Sequence, residues 1–381
     1  DIMAGASIGA DDFAMSVYPS SQPTFMSLVE NGSIFKLMQA GVTVRSAFCG
    51  PCFGAGDVPS NNGFSIRHST RNFPNREGSK PGNGQIASVA LMDARSIAAT
   101  AINKGYLTPA NEIDVSFSKP KYFFNKSVYD NRVYDGFGKA DPSVELKLGP
   151  NITDWPNMSA LPENLVLKVV SLITDPVTTT DELIPSGETS SYRSNPLGLA
   201  EFTLSRKDPA YVGRAKEVQK AEKARLAGEC MGEALPELRD IMHTIKEKFE
   251  VSKENVGVGS TIYAVKPGDG SAREQAASCQ KVLGGWANIA KEYATKRYRS
   301  NLINWGMLPF LFDGELPFEN GDYIFVPNVA KAVANKANEF EAYVIRKGEM
   351  KPFTLKMADL TDNERQIILD GCLINYNKNK R

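Results

Sequence analysis

The stretch "GVTVRSAFCGPC" (41–52) decides the fold class, because it joins a strand to a turn that carries two cysteines. Gly41 ends the preceding helix, and the β-branched residues of 42–48 predict a strand. Strand and helix patterns alternate on both sides of it, which predicts an α/β domain with a mainly parallel sheet covered by helices. In such sheets functional loops follow the carboxyl ends of the strands, and Cys49 stands at such an end.

The chain is predicted to form two α/β domains joined by a long linker. The first covers 1–110, the linker covers 111–164 and the second covers 165–381. The linker is rich in Pro, Asn, Asp and Gly, and its aromatic residues are expected to hold it against a surface. Apart from 42–48, the predicted elements of the first domain are strands over 13–19 and 85–91 and helices over 24–41 (capped by Ser21) and 93–105. Those of the second are apolar segments at 165–173, 255–265, 286–294 and 321–327, helices over 235–250 and 295–306, and a solvated helical insertion over 207–229.

Composition excludes several classes of function. The chain has 381 residues, with 44 Lys and Arg against 44 Asp and Glu, and this zero net charge argues against a nucleic-acid partner. No apolar run approaches the roughly 20 residues that cross a bilayer, so no membrane partner is expected. The N-terminal residues resemble neither a signal peptide nor a transit segment. The five cysteines, an odd number, predict a reducing compartment, and we expect the cytoplasm.

The pair Cys49 and Cys52 permits several interpretations. A Cys-X-X-Cys can be a thioredoxin-like redox couple. A structural zinc site needs about four ligands, and the chain has no second such pair and only two histidines. The Gly-Pro between the cysteines makes a tight turn that aims both sulfurs one way, which suits an iron–sulfur cluster. Two buried, inert thiols are the remaining interpretation.

Two arginines follow the cysteine pair. Arg71 and Arg76 bracket an Asn-Phe-Pro-Asn turn in "RNFPNREG", and each guanidinium fork can hold one carboxylate bidentately. The order "CGPC", "RNFPNREG" and then an Ala-rich helix resembles the third domain of aconitases and related iron–sulfur hydro-lyases.

Three further segments resemble the same family. "PGDGSAREQAA" (267–277), with the helix and strand pattern of 282–310 after it, resembles the family's mobile swivel domain. "TTDELIPSGETSSYRSN" (179–195) resembles its Thr-Thr-Asp … Arg segment, with Asp181 and Arg193 at the matching positions. The tail 360–377 is also similar. The resemblance covers roughly 13–105, 165–205 and 255–377.

The resemblance implies the dehydration and rehydration of a small hydroxy di- or tricarboxylate. In the family a [4Fe–4S] cluster is held by three cysteines, and its free iron acts as a Lewis acid on the substrate hydroxyl. The matching residues here are Cys49 and Cys52 as cluster ligands, Ser271 as the base that removes a proton, Arg71, Arg76, Arg193 and Arg273 as carboxylate anchors, and Asp181 and Thr70 in support. Taken without the resemblance, Ser271 would be a helix N-cap and Arg193 a surface charge.

The chain also departs from the family pattern. The third cluster cysteine is expected upstream of this chain, together with the family's N-terminal domains, so we expect the chain to be inactive alone and those domains to be its partners. Thr70, Ala272 and Glu182 stand where the family has Asn, Ser and His. These changes remove hydrogen-bond donors to cluster or substrate, which weakens the expectation that citrate is the substrate.

Two readings from other classes compete with an enzyme. The chain could be a non-catalytic relative that binds a regulatory partner, although zero net charge disfavours RNA. It could also be a metal or redox module that uses the cysteine pair alone. The other cysteines (Cys230, Cys279 and Cys372) are predicted to be packed thiols, His68 to be structural and His243 to be half exposed.

Overall fold

The structure, a computed structural model, describes residues 1–47, 56–68, 83–116, 118–119, 121, 123–185, 187, 189–270 and 273–380, except the side chain of Arg273. It divides into two compact units, Asp1–Val144 and Glu145–Arg381. Both mix helices and strands, as predicted. No helix among the described residues is long and apolar enough to cross a membrane.

Short strands and helices make up unit 1. Its elements are β1 (Ser16–Val17), α1 (Gln22–Glu30), α2 (Ser33–Gln39), β2 (Thr43–Val44), β3 (Phe64–Arg67), β4 (Ser88–Leu91), α3 (Ala94–Ile102) and α4 (Ser127–Asp130). β1 pairs with β2 and β3 with β4, both in parallel, so the predicted parallel arrangement is present in two separate two-stranded sheets. A small apolar cluster that includes Met3, Ile8 and Val42 packs behind the first of them.

The single helix predicted over 24–41 is wrong, because the chain forms two helices there. Gly32 adopts φ +76°, a left-handed conformation that an α-helix cannot contain, and so separates α1 from α2. The predicted caps are present: the Ser21 hydroxyl accepts a hydrogen bond from the Thr24 amide at 3.3 Å, and Asp93 caps α3. Helix propensity located this helical segment, but it did not indicate that Asn31 and Gly32 divide it into two helices.

A closed barrel forms the centre of unit 2. The elements of the unit are β5 (Asn164–Ile173), β6 (Thr178–Thr179), α5 (Thr180–Leu183), α6 (Pro196–Ala200), α7 (Tyr211–Leu226), α8 (Met231–Ala234), α9 (Leu238–Lys246), β7 (Val256–Ala264), β8 (Pro267–Asp269), α10 (Arg273–Val282), β9 (Gly285–Ala290), α11 (Lys296–Asn304), β10 (Leu308–Leu311), β11 (Tyr323–Val326), α12 (Val329–Ala334), β12 (Glu339–Arg346), β13 (Glu349–Lys356), α13 (Asp362–Leu369) and α14 (Leu373–Asn379). The barrel order is β10-β13-β12-β11-β5-β7-β9.

The barrel is part parallel and part antiparallel. β5, β7, β9 and β10 run in parallel, and β11, β12 and β13 complete the ring with antiparallel pairings. β5 and β7 are almost continuously buried, which explains why their sequences are apolar runs rather than alternating patterns. One apolar cluster lies on each side of the strands, and the larger includes the helices α7, α9 and α10.

The prediction that 207–229 is a solvated insertion is wrong. One face of α7 is buried against β7, with Tyr211, Ala215, Val218 and Ala221 in the main apolar cluster. The carboxylate of Glu222, also buried, accepts two hydrogen bonds from Arg225 and one from the Val258 amide of β7 at 2.8 Å. Small alanines on the buried face and charges elsewhere make a core helix look like a solvated one.

The segment predicted as a linker has local structure of its own. It contains α4, and its final part, from Glu145, belongs to unit 2. The expectation that its aromatic residues are held on a surface is wrong for Tyr134 and Phe137, which are 84% and 94% exposed.

Candidate active site

Two segments that lie far apart in the sequence meet at one edge of unit 2. Strand β6 pairs in parallel with β8, with Thr178 opposite Pro267 and Thr179 opposite Asp269. The segment "TTDE" (179–182) therefore lies beside "PGDG" (267–270), as the two motifs require if they serve one site. This pairing is the structural basis of the candidate site.

Gly270 permits the close contact between these segments. It adopts φ +126°, and a Cβ atom added there would lie 2.3 Å from Thr180 Oγ1. No side chain fits in that space, and an L-residue would be strained in that conformation. α10 begins at Arg273, and Ser271 and Ala272, between Gly270 and this helix, lie outside the described residues.

Asp181 lies in the first turn of α5. Its carboxylate accepts a hydrogen bond from Arg206 at 3.0 Å, and both side chains are partly exposed. The ion pair connects α5 to the loop that precedes α7. The carboxylate is thus held by a cation that the sequence pattern did not indicate.

Glu182, which stands where the resemblance expects His, serves the backbone. Its carboxylate accepts hydrogen bonds from the Thr179 amide and hydroxyl, at 2.7 and 2.9 Å, in a capping box. Lys207 lies 3.4 Å from it and donates to Asp175 at 2.8 Å. This second contact lowers the pKa of Asp175 and raises the pKa of Lys207. Arg206 and Lys207 thus neutralise part of the negative charge of Asp175, Asp181 and Glu182.

Arg193 is exposed and follows a 3₁₀ turn over Ser190–Tyr192. Within the described part of the chain its guanidinium makes no hydrogen bond or ion pair. The next element, α6, packs against α10. An exposed arginine without a partner among the described residues can donate two hydrogen bonds to one carboxylate.

A strap formed by residues 150–155 crosses the Arg193 turn. The Thr153 amide donates to the Ser194 carbonyl at 3.0 Å, and the Thr153 hydroxyl donates to Asn195 Oδ1, also at 3.0 Å. The side-chain Nδ2 of Asn195 donates to Asn151 Oδ1 at 2.9 Å, and the side-chain Nδ2 of Asn151 donates to the Ser191 carbonyl. The strap therefore supports this turn from both sides.

The same strap reaches the first turn of α10. The ring of Trp155 lies on that of Trp305, with centroids 4.3 Å apart. Trp305 Nε1 donates to Glu274 Oε1 at 2.9 Å, and Glu274 is the neighbour of Arg273. Trp155, Trp305 and Glu274 thus connect the strap to the helix start that carries the candidate catalytic segment.

A buried polar network supports β8 from below. A Cβ at Gly268 would lie 2.3 Å from Tyr298 Cγ, so the tyrosine ring fills the space under the turn. Tyr298 Oη donates to Asn288 Oδ1 at 2.8 Å and accepts from Gln280 Nε2 at 2.9 Å, and Asn288 donates to Gln280 at 2.7 Å. Burial raises the pKa of Tyr298, which stays a neutral donor. Such a satisfied network holds one conformation.

The residues predicted for unit 1 lie outside the described part of the chain. They are Cys49, Cys52, Thr70, Arg71 and Arg76. Among the described residues no group of three or more His, Cys, Asp or Glu side chains could hold a metal ion. His68, near the arginine segment, is exposed. The cluster ligands, Ser271 and all four arginine roles therefore remain predictions, and among those arginines only the side chain of Arg193 is described.

The other thiols are only partly as predicted. Cys279 and Cys372 are buried, whereas Cys230 is exposed, so the prediction that it is packed is wrong. Burial raises the pKa of Cys279 to about 12, which makes it an inert thiol at neutral pH. His243, expected to be half exposed, has a side chain that is 77% exposed.

Sequence reasoning missed the supporting residues of the site. Arg206 and Lys207 follow Asp181 by about 25 positions, a spacing with no local period. Trp155 lies in a segment whose composition predicted a linker. Only the pairing of β6 with β8 and the path of the strap bring these side chains to the site, so the sequence offered no signal for them.

Comparisons with known proteins agree with the order of the motifs. Residues 2–99 match the model of the Aconitase family (aconitate hydratase), and residues 244–315 match that of the Aconitase C-terminal domain. The homocitrate dehydratase of Saccharomyces cerevisiae, named as mitochondrial, is 24% identical over 96% of this chain and 47% of its own length. The mitochondrial aconitate hydratase of Candida albicans is 23% identical over 80% of this chain and 39% of its own length.

A solved 3-isopropylmalate dehydratase from Methanocaldococcus jannaschii is also similar, with 21% identity over 57% of this chain and 95% of that one, at a TM-score of 0.35. The chain spans less than half the length of the long relatives that it matches. Two family models match separate parts of the chain in the order of the motifs, and long alignments to hydro-lyases cover most of it. In these two segments, which together make up less than half of its length, this chain is therefore similar to the aconitase family of hydro-lyases.

Proposed function

We propose that this protein is a hydro-lyase that dehydrates and rehydrates a small hydroxy di- or tricarboxylate. The observation that carries the proposal is the pairing of β6 with β8, which joins the Asp181 segment to the turn before Ser271. The relatives support the substrate class, since their names specify homocitrate, aconitate and 3-isopropylmalate. Because the chain is shorter than these relatives, the proposal concerns the whole protein to which it belongs.

In the proposed reaction Ser271 removes a proton from the carbon next to the one that carries the hydroxyl. Serine is a weak base, so its alkoxide needs donors around it. Arg273 and the free amides at the start of α10 would supply them. The exposed guanidinium of Arg193 would hold one substrate carboxylate, and Arg71 and Arg76 the others.

We further propose that Cys49 and Cys52 are two of the three ligands of a [4Fe–4S] cluster. When bound, the cluster would supply a Lewis acid that makes hydroxide a better leaving group. We propose that the third thiolate, and the N-terminal domains of the family, come from outside this chain. The chain alone is then expected to lack turnover.

We propose that the Glu182 position takes part in selecting the hydroxy di- or tricarboxylate, and the change from histidine weakens the expectation that the substrate is citrate. Glu182 replaces the histidine that the resemblance expects, and its carboxylate is held in the cap of α5. An anion there repels a substrate carboxylate, whereas the neighbouring Lys207 partly offsets its charge. Homocitrate and 3-isopropylmalate belong in the first assay panel with citrate.

The three described thiols, those of Cys230, Cys279 and Cys372, form no disulfide, which agrees with a reducing compartment. We propose the cytoplasm on this ground, and the mitochondrial names of the fungal relatives make the mitochondrial matrix the alternative to test by localisation of the tagged protein.

The test uses the whole protein that contains this chain, reconstituted anaerobically with iron and sulfide. We expect turnover with at least one acid of the panel, and Ser271→Ala should lower kcat by roughly 10²- to 10⁴-fold, the usual range for a general base. Arg193→Ala should mainly raise KM, by about tenfold or more, because a charged hydrogen bond contributes roughly 1.5–3 kcal/mol. Arg132→Ala, another exposed arginine, is the matched control and should change neither.

Cluster binding is measured separately by iron and sulfide content and by visible absorption. Cys49→Ser and Cys52→Ser should each reduce both, while Cys230→Ser, which removes an exposed thiol elsewhere, should not. Unchanged cluster content in the first two variants contradicts the ligand assignment. Unchanged turnover in Ser271→Ala contradicts the assignment of the base. Turnover absent for every acid, with the cluster fully loaded, favours the non-catalytic reading.

A further inference from the structure

A cavity lies in unit 2, outside the candidate active site. It has a volume of about 220 Å³ and lies between the end of α7, the helices α8 and α9, and the loop before β7. Neither the strap nor the segments at β6 and β8 contribute to its walls. The proposed hydro-lyase reaction does not involve this cavity.

The floor of the cavity is apolar. Met231 from α8 and Leu238 and Met242 from α9 line it, and all three are buried. Leu238 and Met242 are four residues apart and so share one face of the helix. Methionine side chains adapt to the shape of an apolar ligand, so this floor suits a hydrocarbon chain.

The rim of the cavity is cationic. Arg239, Lys246 and Lys253 line it, and within the described residues none of their side chains makes a hydrogen bond or an ion pair. Glu229 and Glu254 are the acidic residues of the lining. Arg225 also lines the cavity, but its charge is neutralised by Glu222, so three cations face two carboxylates. This leaves one positive charge in excess, and the rim therefore favours a ligand with a single negative charge.

The walls are fixed before any ligand binds. Arg225, at the end of α7, donates to both oxygens of Glu222 at 2.7 and 2.8 Å and to the Glu254 carbonyl at 2.9 Å. A Cβ at Gly232 would lie 2.6 Å from Arg239 Cγ, so the stem of this arginine crosses the start of α8 at the glycine. A preformed cavity costs little ordering on binding.

We propose that this cavity binds a monocarboxylate with an unbranched apolar tail of about six to eight carbons. A water molecule occupies about 30 Å³ of liquid, so the cavity has the volume of about seven waters, which suits a tail of about seven carbons with the carboxylate at the open rim. The tail lies on Met231, Leu238 and Met242, and the carboxylate faces Lys246 and Lys253. Octanoate has the required length and charge.

Titration calorimetry of the chain with octanoate tests the proposal. Octanoate should bind with a millimolar or lower Kd, and the double variant Lys246→Glu, Lys253→Glu should weaken binding by about tenfold or more, since two cations are reversed. The matched control is Lys220→Glu, Lys223→Glu, which makes the same change of charge at two exposed lysines of α7 outside the cavity. This control should bind octanoate like the unmodified chain.

The exposed thiol of Cys230, which also lines the cavity, provides a second readout. Octanoate should slow its alkylation by iodoacetamide, followed on the peptide that contains it, and octylamine should not. The proposal is wrong if octanoate does not bind at millimolar concentration, if the rim variant binds as well as the control, or if octylamine protects the thiol equally.

Discussion

At the scale of single residues, Gly270 shows how the candidate site depends on the absence of a side chain. The substitution Gly270→Ala places a methyl group against Thr180 and should separate β8 from α5. Since a displacement of about 1 Å can cost 10²-fold in rate, we expect turnover of the whole protein to fall by about that factor. Steady-state kinetics and the unfolding midpoint are the measurements.

Gly321→Ala is the control for this substitution. Gly321 also has a positive φ, +97°, but nothing lies within 4 Å of an added Cβ. It should cost about 1 kcal/mol of stability through backbone strain and leave turnover intact. Equal kinetics in the two variants would contradict the role of Gly270.

Lys281 is a buried cation whose titration should appear in the stability of the protein. Its ammonium is 3.5 Å from the centre of the Trp286 ring and has no hydrogen-bond partner among the described residues. Burial lowers its pKa to about 7, so between pH 7 and the unfolded value of about 10.4 the unfolded chain binds more protons. The contribution of Lys281 to the free energy of unfolding therefore rises with pH in this window and is constant below it.

We expect Lys281→Met to be more stable than the unmodified chain at pH 7, with the advantage shrinking by about 2 kcal/mol between pH 7 and pH 9. Denaturant unfolding of both proteins at several pH values measures the difference in their free energies of unfolding. Because both proteins contain Cys279, its titration cancels in this difference. Lys223→Met, at an exposed lysine, should show no such pH dependence. Parallel pH profiles of the two proteins would show instead that the buried amine stays protonated in the folded state up to pH 9.

At the scale of elements, one carboxylate of α7 bonds directly to the barrel beside the apolar face of the helix. Glu222→Ala removes the acceptor of the Val258 amide and the partner of Arg225 at once. Breaking a buried pair typically costs about 3–5 kcal/mol, and we expect a loss near the lower end, measured by urea unfolding. Glu217→Ala, at an exposed position of the same helix, should cost less than about 0.5 kcal/mol. Similar losses of unfolding free energy in the two variants would mean that the hydrogen bonds of Glu222 do not stabilise the contact of α7 with β7.

The strap over 150–155 is the second element with a measurable role. Trp155→Ala removes the ring that lies on Trp305 and should reduce hydrogen-exchange protection at 190–195 and 273–276, with a rise in KM in the whole protein. Trp155→Phe keeps an aromatic ring and should restore most of the protection. If Trp155→Ala left the hydrogen-exchange protection of 190–195 and 273–276 unchanged, the strap would contact these segments without stabilising them.

At the scale of the whole molecule, the two units differ in how much they bury. Among the described residues, both large apolar clusters lie in unit 2, whereas unit 1 contributes one small cluster and exposes side chains such as Phe35 (64%) and Met38 (61%). Calorimetry should therefore show unit 1 unfolding at the lower temperature. A chain limited to 145–381 should lose that transition and keep the upper one within a few degrees. A single transition shared by both units would contradict this expectation.

The sequence predicted more of the elements than of their arrangement. Caps such as Ser21 and Asp93 act through neighbouring atoms, so local pattern was sufficient to find them. The barrel closure, the buried face of α7 and the contact of Trp155 with Trp305 depend on residues far apart in the chain, and no local period records them. Asp181 and Arg193 were selected by resemblance alone, and Arg206, the partner of Asp181, became visible only in the structure.

The barrel closes through one unusually short contact. β10 meets β13 at a single residue pair, Leu311 and Lys356, whereas β12 and β13 pair over their full length. The ring therefore has a seam, and thermal opening of the sheet should start at that place and spread towards β9. If the seam parts, the edges of β10 and β13 are exposed at once, while β13 stays paired with β12. The length of one ladder then decides how readily two opened molecules join edge to edge on storage.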